Sequence, residues 1–332
     1  MSWRARPRAA LLCGAAALLL AGCGATGPDR TTTTAPSTST SAAPPSTTIA
    51  AAAALASVGH VFVVVMENLG AGPARSVPAF ASLAARYEST TRWYAASHPS
   101  LPNYLALVSG STWGITSDCT SCTVRGPNLG TQLTAAGVSW GAYFEGMPAP
   151  CFLGSQSPDG SYAQKHDPFA YFDDIRSSPA LCGHLQPLSS LPPLLAGPAT
   201  GVPRFVWVTP SMCHSGHDCS PAVAGSWLEG FVGTVTASAA WRQHGLLVVV
   251  WDEGDGTAGV DPATGALRAA GGGGAVLGLV AAPGAPAGRA LPVPYDHYSL
   301  LATVEDVFGL PRLGAAAGAG VAPLTAFLPP GP

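Results

Sequence analysis

The chain has 332 residues, 47% of them hydrophobic and 10% charged, with a formal net charge of −3. That length suits one large domain or two small ones, and the balance lacks the basic surplus of a nucleic-acid-binding chain, so no nucleic-acid partner is expected. Glycine and proline are abundant, at 40 and 32 residues, which implies many loops around the core.

At the N-terminus, Arg4, Arg6 and Arg8 precede the apolar run "AALLCGAAALLLAG". This is the charged-then-apolar order of an export signal. The run is too short to span a bilayer comfortably. "LAGC", Leu20 to Cys23, resembles a bacterial lipobox. The resemblance implies cleavage before Cys23, lipid on its thiol and new amine, and membrane attachment through the acyl chains. An ordinary secreted protein and an uncleaved signal anchor are the competing readings. "TTTTAPSTSTSAAPPSTTIAAAAA" follows, with no charge and no aromatic residue. Such a segment cannot bury a core. Residues 1–23 therefore read as a lipoprotein signal peptide, 24–55 as a disordered tether, and 56–332 as one folded domain.

Six cysteines remain beyond Cys13 and Cys23: Cys119, Cys122, Cys151, Cys182, Cys213 and Cys219. An even number in an exported chain suggests disulfides, and six allow fifteen connectivities. Proximity alone suggests 119–122, 151–182 and 213–219. "CTSC" as a redox pair lacks a thioredoxin-like strand and helix around it.

Within the folded part, "HVFVVVMEN" is an unbroken apolar run ending in Glu67 and Asn68, suited to a strand buried on both faces. "VPAFASLAARY" has helical spacing. "VSWGAYF" and "RFVWVTP" read as strands, and "GSWLEGFVGTVTASAAWRQHG" as a helix. "LLVVVWDEGDG" and "AVLGLVAAPG" are further strands, and "DHYSLLATVEDVFGL" is a helix. Strands alternating with helices predict an α/β fold with a largely parallel central sheet.

Two of the buried strands end in acids, Glu67 on one and Asp252 with Glu253 on the other. Ligand sites of open α/β sheets lie beyond the carboxyl ends of strands. Carboxylates after valine runs are costly to bury unless partnered. A hard divalent cation would relieve three pooled negative charges. The competing reading is that each acid only marks a strand's exit into solvent.

The stretch "SHPSLPNYLALVSG" sets Ser100 before Pro102, a residue that fits the first turn of a helix. Ser100 then lies at or near an N-cap, where its oxygen would accept from a free N–H. The same geometry suits an anion, because helix N-termini attract phosphate. A serine there, facing a metal, can act as a nucleophile, and Asn103 one turn on could donate to a phosphoryl oxygen. On this stretch alone the capping reading comes first.

"HVFVVVMEN", "SHPSLPNYLALVSG", "QKHDPFAYF", "GHDCS", "LLVVVWDEGDG" and "YDHYSLLATVEDVFGLP" occur in this order. Together they resemble the bacterial phosphoesterase family of secreted acid phosphatases and phospholipases C, within the alkaline phosphatase superfamily. The resemblance runs from about His60 to Gly314 and is nearest to the acid-phosphatase branch, which includes secreted mycobacterial phosphatases acting on phosphoinositides. It implies an alkaline-phosphatase-like fold and metal-dependent hydrolysis of phosphate esters. The family's metal-binding acid and amide match Glu67 and Asn68, and its acid pair at a strand end matches Asp252 and Glu253. Its hydroxyl nucleophile matches Ser100, and its phosphate-contacting asparagine matches Asn103. The histidines of its "KHxP" and "DHYS" segments match His166 and His297. The resemblance leaves open which of them contacts phosphate, serves a second metal or protonates the leaving group; His297 is the first choice for proton donor or support. His217 and Asp218 are kept as substrate-binding candidates.

One segment departs from the family's pattern. His214 and Ser215 stand where Asn and Asp are expected, and Ser226 stands before Trp227 where Asp is expected. This puts a second metal in doubt, so the cofactor is one or two divalent ions. Other motifs are weaker. "GVSWG" matches G-x-S-x-G, but a helical pattern precedes it and Ser139 lies in a strand. Cys213, His214, His217 and Cys219 as a zinc set give way to a disulfide. "GGGG" at 271–274 precedes a strand rather than a helix. The sequence reading is thus a membrane-tethered extracytoplasmic phosphomonoesterase acting through a phosphoserine on a phosphorylated small molecule or lipid head group. A phospholipase C-type phosphodiesterase and a non-catalytic phosphate-ester-binding lipoprotein are the alternatives.

Overall fold

A computed structural model describes residues 46–254 and 272–329. The elements, in chain order, open with α1 (Ser46–Ala56), β1 (His60–Met66), α2 (Ala71–Ser76), α3 (Pro78–Arg86) and β2 (Glu88–Tyr94). Then come α4 (Ser100–Ser109), α5 (Leu129–Ala135), β3 (Trp140–Phe144), α6 (Asp173–Ser177), α7 (Pro179–Cys182), β4 (Leu185–Pro187), α8 (Leu191–Ala196) and β5 (Phe205–Thr209). The series closes with α9 (Pro221–Ala237), α10 (Ala239–Arg242), β6 (Gly245–Trp251), β7 (Ala275–Ala281), β8 (Tyr295–Asp296) and α11 (His297–Phe308).

The strands form one sheet in the order β4-β3-β5-β1-β6-β7-β2-β8. β1 sits between β5 and β6, parallel to both, with Val61 opposite Phe205 and Leu246. β3 is parallel to β5, and β4 to β3. β7 is antiparallel to both β6 and β2, and β8 is parallel to β2. Among the described strands β7 alone is reversed, so the expected mixed α/β fold with a mostly parallel sheet is what forms. Every residue of β1, β5 and β6 is buried. Unbroken apolar runs of this kind require helices on both faces of the sheet.

Two elements depart from the sequence reading. Residues 46–55, assigned to the tether, are helical, because an alanine run has high helix propensity and Ala54 and Leu55 are buried in the core. The signal peptide, Cys23 and the rest of the tether lie outside the described residues. The single helix expected over 225–245 breaks at Ser238, whose side chain accepts from Trp241 N and starts α10. β2, rich in Thr, Trp and Tyr, was not anticipated. The three disulfides are 119–122, 151–182 and 213–219, as proximity suggested. That last bond removes the thiolates a zinc set would need. Ser139 Oγ accepts from Arg204 N, a structural role.

Candidate active site

Glu67 follows β1, Asp252 and Glu253 follow β6, the segment 211–218 follows β5, and Ser100 opens α4 beyond β2. All four stand at the carboxyl edge of the sheet, where open α/β folds place their ligands. The backbone bonds Asp252 N to Met66 O and Glu67 N to Ser215 O, locking neighbouring strand ends together.

Glu67 is buried at the centre. Its Oε1 accepts from the Tyr104 hydroxyl at 2.5 Å, and its Oε2 accepts from Ser100 Oγ at 3.2 Å and from Asn68 Nδ2 at 3.4 Å. Burial acts to raise the Glu67 carboxyl, but the charge of His166 and the Tyr104 hydroxyl outweigh it and hold the group below its usual range. Asp252 behaves oppositely. Burial, then the charges of Glu67 and Glu253, push its carboxyl well above the usual range. Glu253 is raised as well, by burial first, against the opposing pull of His98. Its Oε2 lies 2.5 Å from His98 Nδ1.

Ser100 is the first residue of α4, and Pro99 occupies the cap position without a side-chain cap. The serine hydroxyl turns to Glu67 rather than to the helix backbone, so the capping reading is corrected. Asp118 supplies the cap instead: its Oδ1 accepts from Leu101 N at 3.0 Å.

Asn103 is fully engaged in holding the turn before Ser100. Its Oδ1 accepts from Ala96 N and Ser97 N, and its Nδ2 donates to Ser97 O and Pro99 O. Both amide hydrogens are thus used by the turn, and the expected donation to a phosphoryl oxygen gives way to a positioning role. His297 is buried between two fixed partners. Its Nε2 donates to the Asp252 carbonyl at 2.6 Å, and its Nδ1 accepts from Trp93 Nε1 at 3.2 Å. Burial lowers its pKa to about 4. A neutral imidazole with both nitrogens occupied is no proton donor; it supports the Asp252 backbone.

Ligand atoms of Glu67, His166 and His217 lie within 4.8 Å of one another. This trio differs from the expected metal set of Glu67, Asn68, Asp252 and Glu253. Asn68 has an exposed side chain and a left-handed backbone, φ 53°, a conformation Asn tolerates. Its N–H donates to Asp252 Oδ1 at 3.0 Å. Three buried polar atoms here have no hydrogen-bond partner: Asp252 Oδ2, His166 Nε2 and His98 Nε2. His166 Nε2 is 3.3 Å from Glu67 Oε2 without being aligned as a hydrogen bond. Unpartnered buried groups of this kind are rare in folded proteins. A carboxylate oxygen and imidazole nitrogens with free lone pairs fit a divalent cation.

His217 carries Asp218 Oδ1 on its Nδ1 at 2.7 Å and Lys165 Nζ on its Nε2 at 3.0 Å. Lys165 also bonds Asp118 Oδ2 at 2.9 Å. Asp118, Tyr104, His98 and Lys165 were not picked out as site residues from sequence. Lys165 had one signal, being the only lysine of the chain. Of the departures, Ser215 is buried directly beside Glu67, His214 pairs with Glu145 at 2.9 Å, and Ser226 lies exposed on α9.

Residues 51–311 match the Phosphoesterase family. A phosphatidylinositol-3-phosphatase of Mycobacterium tuberculosis is 34% identical over 276 residues, covering 80% of this chain and 82% of that protein. A probable acid phosphatase of Kluyveromyces lactis is 27% identical over 265 residues, and the match covers 78% of this chain but 60% of the longer yeast protein. Among solved structures, an alkaline phosphatase superfamily protein from Vibrio parahaemolyticus aligns with a TM-score of 0.50 at 12% identity, over 78% of this chain and 69% of that one. Murine ectonucleotide pyrophosphatase/phosphodiesterase 5 aligns with a TM-score of 0.51 at 10% identity, over 81% of this chain and 100% of that one. At such identities these two bear on the fold alone, and they agree with the mostly parallel sheet. With the family match spanning nearly the whole folded part, the chain belongs to the Phosphoesterase family, hydrolases of phosphoric ester bonds.

Proposed function

We propose that the protein is a metal-dependent phosphomonoesterase acting on extracytoplasmic phosphate esters, with phosphoinositide head groups as the substrate class and Ser100 as nucleophile. The observation that carries the reading is the bond from Ser100 Oγ to Glu67 Oε2, which turns the hydroxyl away from its helix and toward the acids. The name of the mycobacterial relative supports the substrate class. Three disulfides and the N-terminal export pattern support a place outside the cytoplasm, tethered through Cys23.

Ser100 Oγ attacks phosphorus in line while its proton passes toward Glu67 Oε2. The bond from phosphorus to the leaving oxygen breaks as that oxygen takes a proton from water, leaving a phosphoseryl ester; a second water attacks phosphorus, and Ser100 Oγ leaves and recovers its proton from Glu67 Oε2. Glu67 and His166 would hold the cation, with His217 the third member of their trio and Asp252, Asn68 and Glu253 beside it. When bound, such an ion lowers the pKa of the hydroxyl and offsets charge on the phosphoryl oxygens. Asn103 keeps the turn that presents Ser100, and His297 keeps Asp252 at its strand end. Asp218 holds the tautomer of His217.

The test is hydrolysis of p-nitrophenyl phosphate after chelation and after restoring each divalent metal, beside Ser100→Ala. Turnover that returns with metal and vanishes in the variant is expected. Full activity in the chelated protein would overturn the metal, and most of the rate remaining in Ser100→Ala would overturn the nucleophile. With lipid substrates, release of phosphate rather than diacylglycerol separates this reading from a phospholipase C.

A further inference from the structure

The nine-tenths of the chain that is uncharged makes each fixed cation in the site informative. Glu67, Asp252, Glu253, Asp118 and Asp218 all border it, and the sole permanent positive charge among the residues described there is Lys165. Its side chain is 19% exposed and its ammonium is held from two sides, by Asp118 Oδ2 at 2.9 Å and His217 Nε2 at 3.0 Å. An ammonium has three N–H donors, so these two bonds leave one. His217 is one of the trio that converges with Glu67, and Glu67 Oε2 is the acceptor of the Ser100 hydroxyl. The lysine is therefore linked through His217 and Glu67 to the Ser100 hydroxyl.

Asp118 connects this charge to the helix that carries the nucleophile. One of its oxygens caps α4 at Leu101 N, and the other holds Lys165. Asp118 is also bonded in sequence to Cys119, whose disulfide to Cys122 closes the loop. A single carboxylate thus fixes the distance between an ammonium and the first turn of α4.

We propose that Lys165 is a substrate-binding residue that donates to a non-bridging phosphoryl oxygen and selects the dianionic monoester over the monoanionic diester, with Asp118 as its positioning residue. This rests on the phosphoesterase reading of the Ser100 site. A monoester at neutral pH carries about two negative charges, as a phosphorylated side chain does, and a diester carries one. A charge-assisted bond to the extra oxygen is made only with the monoester.

The experiment compares p-nitrophenyl phosphate with bis-p-nitrophenyl phosphate in the full-length, metal-restored protein. Lys165→Met should lower kcat/KM for the monoester by on the order of 10- to 100-fold, the size of one charged hydrogen bond. The diester rate should fall by no more than about threefold, the size of a solvent-screened charge effect. Lys165→Arg, which keeps the charge, should restore part of the ratio. Asp118→Asn keeps an acceptor for Leu101 N but loses its charge, and should shift the ratio in the same direction with an unchanged melting temperature. Because Lys165 is the only lysine, acetylation read by peptide mass reports on it directly, and saturating inorganic phosphate should protect it. Equal losses for both substrates, or acetylation unchanged by phosphate, would overturn the assignment while leaving the phosphatase reading intact. A wild-type protein that neither hydrolyses the monoester nor binds phosphate would remove both.

Discussion

Ser100 Oγ and Glu67 Oε2 are joined by a 3.2 Å hydrogen bond although one begins a helix beyond β2 and the other ends β1. The bond gives the serine a task outside its own helix. Loss of the hydroxyl removes the proposed nucleophile without removing a cap, which Asp118 provides.

Ser100→Ala should therefore lower kcat by at least about a thousandfold, as expected for a lost covalent route. The melting temperature should change little, and inorganic phosphate should still bind by calorimetry. A large loss of stability would show that the serine is structural after all.

The buried acids make a second case. Burial and the charges of Glu67 and Glu253 raise Asp252 well above its usual range, so the metal-free site is strained electrostatically. Chelation should lower the melting temperature, because a ligand that binds only the folded state stabilises it by mass action. In chelated protein, Asp252→Asn should raise the melting temperature by about 2 °C or more, since removing one of several crowded charges relieves repulsion. The same variant should lose activity with any metal restored. Calorimetric scans of both proteins with and without chelator decide this.

His297→Phe removes the bonds to the Asp252 carbonyl and from the Trp93 indole. Two buried polar groups are left unpaired, at a cost of about 2–4 kcal/mol in chemical denaturation. Activity should drop with it. The alkaline limb of the pH–rate profile, which reports a proton donor, should stay where it is, because burial lowers this imidazole to about 4. A limb that moves or disappears would return His297 to the list of proton donors.

Glu305, on α11, gives a pH signature away from the active site. Burial raises its carboxyl from 4.5 to about 8, against the bond from Leu313 N. Its other oxygen is buried without a partner. The folded state then holds a proton that the unfolded chain has released. This contribution is fully present below the unfolded value and is lost as pH rises toward about 8. Glu305→Gln keeps an acceptor for Leu313 N and cannot ionise. Its melting temperature should fall less steeply between pH 5 and 8 and exceed the parent's at pH 8.5. An unchanged slope would show that the carboxyl titrates normally.

The sheet was legible because β1, β5 and β6 are unbroken apolar runs, and the site's location followed from the acids at the ends of two of them. Ser100 was legible only as one of two alternatives; its orientation depends on Glu67, which local sequence cannot reveal. Tyr104 reads as an ordinary apolar position of α4, yet its hydroxyl reaches Glu67 Oε1. Asp118 sits in an irregular loop with no periodic signal, and its role depends on Leu101 and Lys165. His297 and Asn103 were singled out by motif, but their tasks are set by buried partners. A motif marks which residues matter without showing which atoms they touch. The reversal of β7 is likewise a property of chain connection, since its composition is that of any buried strand.

The place of β1 at the middle of the sheet has a consequence for how the protein comes into being. The first of the described strands pairs with Phe205–Thr209 on one side and Gly245–Trp251 on the other, and both are synthesised far later. Long-range pairing of this kind makes assembly slow, because chain closure precedes the contacts that reward it. Glu67 and Asp252 meet only when that central ladder closes. A chain still emerging has no assembled acid cluster, because Glu67 and Asp252 stand at the ends of strands that pair across so long a stretch of sequence.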